Sequence, residues 1–187
     1  MAQVTHSTRT KPTPHRSRGG TFDLRPFQTS TVLAGSTAKI VYGDVVQFDV
    51  NVATANHRIV KSSTMANVPN VLSTVLLGIA VEDDASSVSA DSPGGTDQKV
   101  LICIANKDTE FKFPTKLAGT AHLSSLVGKR SGLSYDSTLG MFYADTANST
   151  AGDGMLVITD VLDAGTSNGF VAAKFISTNV SRLVSGA

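Results

Sequence analysis

The sequence predicts a mainly β protein, a β-barrel or sandwich with an extended N-terminal arm and at most one or two short helices. Two observations lead there. From Ala38 onward, short runs rich in Val, Ile, Leu and Phe alternate with clusters of Gly, Asn, Asp and Ser, the pattern of strands and turns. The first 26 residues instead carry basic residues, prolines and glycines, with almost no apolar side chain before Phe22.

The elements follow in order. Ala38–Tyr42 and Val45–Val50 flank Gly43-Asp44, a tight bend, and His57–Ser62 follows a turn-like stretch at 53–56. Val75–Val81 and Gln98–Ala105 are separated by a polar excursion that includes Ser92-Pro-Gly-Gly95. Thr109–Phe113 places Phe111 and Phe113 on one face, because strand side chains alternate with period two, and Pro114 ends the run. Gly132–Asp136 and Met141–Asp145 read as a hairpin around Ser137–Gly140, and Met155–Leu162 and Phe170–Ile176 as the last pair. Unbroken apolar runs such as Val100–Ala105 predict strands covered on both faces. Helical signals are thin: one short helix within Leu117–Gly128 and a turn within Asn67–Leu76.

This divides the chain into an arm (1–34), a body (35–178) and a C-terminal tail (179–187). The formal net charge of +1 hides an asymmetry, since residues 1–26 carry +4 and the remainder −3. A segment so polar and basic buries too little surface to offset its ordering entropy, and alone it is expected to be disordered. Fully extended it would reach roughly 85–95 Å. Arg9, Lys11, Arg16, Arg18 and Arg25 are its cations, and Phe22, Leu24 and Phe27 its candidate apolar anchors. The same arginines could meet nucleic acid, but no aromatic residue interleaves them before Phe22 and the body is slightly acidic, which disfavours that partner.

The residues give no sign of catalysis. No Gly-x-Ser-x-Gly elbow occurs, and Gly128-Lys129-Arg130 lacks both the earlier glycine and the final Ser or Thr of a phosphate loop. The single cysteine, Cys103, lies mid-strand in an apolar run, where a thiol is inert, and a lone cysteine forms no internal disulfide. Glu82-Asp83-Asp84 lacks the alternating acids of a calcium loop and reads as a solvated strand end. No enzyme activity, cofactor or metal is therefore expected. The N-terminus does not read as a secretory signal, and no apolar run approaches the roughly 20 residues of a spanning helix, so no membrane partner is expected.

Several stretches carry a more specific likeness. Tyr42-Gly-Asp-Val-Val46, Leu77-Gly-Ile-Ala-Val81, Val100–Ala105 with Glu110-Phe-Lys-Phe113, Leu126–Asp136, Val157–Asp163 and Val171–Phe175 follow one another in this order. The order resembles small β-barrel capsid decoration (cement) proteins of tailed bacteriophages, over about residues 38–176. The resemblance implies a structural virion protein on the capsid exterior that clamps adjacent major capsid protein subunits. It also implies a homo-oligomer, with a trimer favoured. The N-terminal arm would then be an attachment element, using Arg9, Lys11, Arg16, Arg18, Phe22, Leu24, Arg25 and Phe27. The alternative is a virion surface adhesion or carbohydrate-binding module, against which stands the lack of Trp and a total of only three Tyr to stack on sugars.

Overall fold

The computed structural model describes residues 11–28, 40–48, 59–61, 76–83, 99–115, 124–136, 139–146, 155–164 and 169–176. Eleven strands lie within them: β1 (Thr13–Ser17), β2 (Leu24–Gln28), β3 (Val45–Phe48), β4 (Ile59–Lys61), β5 (Leu76–Ala80), β6 (Lys99–Ile104), β7 (Thr109–Pro114), β8 (Arg130–Asp136), β9 (Met141–Asp145), β10 (Leu156–Val161) and β11 (Phe170–Phe175). They form two antiparallel sheets, one ordered β1-β7-β11-β10-β8-β9 and the other β2-β6-β5-β3-β4. The fold is sandwich-like and mainly β, without a closed barrel. The larger sheet nonetheless curls, for an isolated bridge joins Thr115, just past β7, to Ala144 of β9.

The core lies between the sheets. Phe111, Phe113, Leu133, Phe142, Leu156, Ile158, Val171 and Phe175 of the larger sheet bury against Val45, Ile79 and Cys103 of the smaller. Phe111, Phe113 and Phe175 meet edge to face, with centroids 5.5 to 6.4 Å apart, the geometry that aromatic quadrupoles favour. A second cluster, with Val46, Leu77, Ala80, Val100, Ile102 and Ile104, is buried on the other face of the smaller sheet. The expectation from Val100–Ala105 thus holds: Cys103 and Ala105 enter one cluster, Ile102 and Ile104 the other.

A bulge sorts β5 between the two clusters. Val46 pairs with Gly78 and Gln47 with Leu76, leaving Leu77 as the extra residue. The insertion turns Leu77 to the face opposite Ile79. Gly78 itself is obligatory, because a Cβ there would collide with the carbonyl of Cys103 on the neighbouring strand.

Two expectations need correction, and two helical readings lie largely outside the described residues. Ile40–Tyr42 is not strand: the Asp44 carboxylate accepts the Val41 N–H at 2.9 Å, and Gly43 adopts φ +83° in the resulting turn. Of Leu117–Gly128, the described part holds one 3-10 turn, Ser124–Leu126, closed when Gly128 takes φ +83°. Of Asn67–Leu76, only Leu76 falls within the described residues, and it belongs to β5.

The second correction concerns the arm. Residues 13–17 and 24–28, assigned to a free segment, are edge strands, one in each sheet. The boundary at residue 34 therefore does not separate arm from body. Thr13 pairs with Lys112 and Ser17 with Thr109; Leu24 pairs with Cys103 and Gln28 with Lys99. Between the strands the Arg18 N–H donates to the Asp108 carbonyl (3.0 Å), and the Ile104 N–H to that of Asp23 (2.8 Å). Residues 13–28 thus run antiparallel to 99–112 around the corner where the chain passes from one sheet to the other. We call this segment the clasp. Its composition misleads because an edge strand needs little apolar surface of its own: the neighbour supplies the hydrogen-bond template. Pro14 and Pro26 fit for the same reason, since an edge has one side on which no N–H is required.

Candidate functional site

The eight residues expected to form an attachment arm have separate fates. Arg9 lies outside the described residues. Lys11 is half-buried, its side chain against the turn at Gly43. Arg16 lies on the sheet surface, exposed, with Nε and Nη2 donating to Glu110 Oε2 at 2.8 and 2.6 Å. A bulge between Pro14 and Arg16 sets this pair in register. Glu110 is 8% exposed and also lies 3.7 Å from Lys174 Nζ, so its charge is compensated from two strands. Phe27 packs on the second apolar cluster, opposite Val100. Arg16 and Phe27 therefore hold the clasp to the body.

The corner keeps what remains. Arg18 is exposed, as are Gly19, Gly20 and Thr21. Phe22 and Leu24 are 36% and 45% exposed, large apolar side chains presented to solvent on either side of Asp23. Arg25 closes the group, its Nε and Nη2 each 3.0 Å from an oxygen of Asp23. The hydrogen bond to Asp23, and then its charge, raise the guanidinium pKa further. The arrangement is an apolar pair beside an ion pair, on backbone that both sheets fix in place. The two apolar side chains and the ion pair alternate along the chain where it enters β2, so the corner presents both to solvent.

Among the described residues, two further large apolar side chains are exposed, Tyr42 (41%) and Val127 (46%). The sequence reading missed both as surface residues. The signal was present, since each directly precedes a glycine that takes positive φ in a turn, Gly43 and Gly128. Tyr42 is anchored by its backbone: its N–H donates to Asp83 Oδ1 at 2.7 Å. In the same acidic run Glu82 Oε1 accepts the Leu101 N–H at 2.6 Å. These two carboxylates satisfy backbone donors at strand ends.

Cys103 is fully buried and forms no disulfide. Burial, and secondarily the charge of Asp23, push its thiol up to about 12, so it holds its proton at neutral pH. The Gly128-Lys129-Arg130 stretch is the turn into β8, where the Gly128 N–H donates to the Ile158 carbonyl at 2.8 Å. Compared with protein-family models and with curated proteins, the chain matches none.

Proposed function

We propose that this chain is a structural virion protein that decorates the exterior of a phage-type capsid and clamps adjacent major capsid subunits, with the clasp corner as its contact. The observation that carries the reading is the exposed Phe22–Leu24 pair beside the Asp23–Arg25 ion pair. Exposed apolar side chains grouped on a fixed turn are a feature of surfaces that meet another protein. The likeness of the strand motifs to capsid cement proteins supplies the setting. The proposal revises the attachment element: a short rigid corner replaces a long flexible arm, because Arg16 and Phe27 are engaged by the body.

The test is occupancy on particles. Capsids purified from cells that make the chain are imaged by electron microscopy, with wild type and a Phe22→Ser/Leu24→Ser variant. The expected result is density for the wild-type β body on the outer shell, with the corner against capsid protein. The variant should fold normally and occupy few sites. Absence of the chain from particles, or equal occupancy by the variant, overturns the reading.

A further inference from the structure

We propose that the clasp, residues 13–28, with Lys11 and Pro12 ahead of it, is an exchangeable element that closes on its own chain in the monomer and on the same edge of a second copy when copies are crowded together. The inference goes beyond the capsid reading and rests on the fold alone.

The clasp is held by contacts that a second copy would supply identically. Its main partners are β7 for β1 and β6 for β2, joined through backbone ladders. Few of its side chains enter a core: residues 24–26 are exposed and 27–28 half-buried. The fixings made by side chains are Arg16 on Glu110, Phe27 on the second cluster, and Lys11 with Pro12 at the Gly43 turn. Exchange of an identical element conserves every one of them, which makes it a low-cost route to association.

Chain length permits it. Residues 29–39 join the clasp to the next described segment, and extended they span about 40 Å. That matches the diameter, roughly 40 Å, of a compact domain of this size. Charge does not oppose it, since the basic clasp meets the same acidic remainder in either arrangement, +4 on the first 26 residues against −3.

Simple addition of a further strand is disfavoured. Pro14 and Pro26 sit within the two clasp strands and lack the N–H that a strand laid against the outer edge would need. Departure of the clasp, by contrast, opens the edges of both β6 and β7, and the segment that fits them is another copy of residues 13–28.

The first experiment uses cross-strand partners Gln28 and Lys99 in a Cys103→Ala background. Chains carrying Gln28→Cys are mixed at high concentration with chains carrying Lys99→Cys and gently oxidised. Exchange predicts a disulfide-linked heterodimer, at least roughly tenfold above a mixture carrying Gly19→Cys and Lys129→Cys, because pairing fixes the local concentration of the thiols. The double variant Gln28→Cys/Lys99→Cys should close within one chain and no longer dimerise. The second experiment keeps Cys103 as reporter. Arg16→Glu and Glu110→Arg each break the latch and should speed thiol labelling several-fold, roughly fivefold. Mixed together, each clasp finds a complementary edge on the other chain, and labelling should fall back toward wild type. Heterodimer at the control level, or a mixture that labels as the average of the two variants, overturns the proposal.

Discussion

Residues 99–114 and residues 13–28 run beside each other from Lys99 to Lys112, yet they are made of opposite materials. The first is apolar, with Val100, Ile102, Cys103, Ile104, Phe111 and Phe113 all fully buried. The second is basic, carries two prolines and two glycines, and leaves most side chains in solvent. Both are strand. The difference teaches that one member of a ladder can be specified by its own burial and the other by the edge it is offered. Stability should accordingly reside in one partner and surface chemistry in the other.

Substitutions test that division. The largest effect is expected at Gly78, which lets β5 approach β6. Gly78→Val forces apart backbone that cannot yield, and a loss of more than about 4 kcal/mol is expected in urea unfolding. On the clasp, Gly19 has open space around its Cα, and Gly19→Ala should stay within about 0.5 kcal/mol. Phe111→Ala comes next, at about 3–5 kcal/mol, since it empties the three-ring cluster. Its clasp counterparts Phe22→Ala and Leu24→Ala should lie within about 0.5 kcal/mol, and a larger loss at either would mean that the corner is structural.

Cys103 sharpens the comparison through pH. The folded thiol titrates near 12 and the unfolded thiol near 9, so its contribution is complete below pH 9. Between pH 9 and 12 the unfolded chain ionises while the folded chain holds the proton. Stability should fall there by up to about 1.4 kcal/mol per pH unit relative to Cys103→Ala, read from the difference in slope of the two stability curves. A modest effect is expected at the latch. Arg16→Ala should cost about 0.5–1 kcal/mol, reduced from a fully buried pair because Arg16 is 57% exposed, and the cost should shrink in high salt.

The body was legible because its strands carry their own apolar periodicity. Val100–Ala105, Thr109–Phe113 and Phe170–Phe175 announce both their extent and their buried faces. Gly43-Asp44 announced a turn, although the extended run before it did not survive, since Asp44 folds back on Val41. The clasp was illegible for a physical reason. Its pairing depends on an edge whose register partner for Arg16 lies 94 residues away, and no local pattern encodes such a partner. Of the candidate site, the residue types at the corner were anticipated. The division of labour was not: Arg16 and Phe27 engage the body through a bulge and a cross-strand register that composition does not show.

The same long-range register sets an order of events during synthesis. Residues 13–28 are made before the strands they join, β6 and β7, which end at Ile104 and Pro114. At about 5–20 residues per second, the clasp waits roughly 5–20 s for its partner to be made. Such non-local closure is slow in its own right, because loop entropy is lost before contact is gained. A segment made ahead of its partners is therefore placed only after β7 is complete. A nascent chain that must wait unpaired in this way gains from carrying there the residues least prone to stick: prolines, glycines and repelling positive charges.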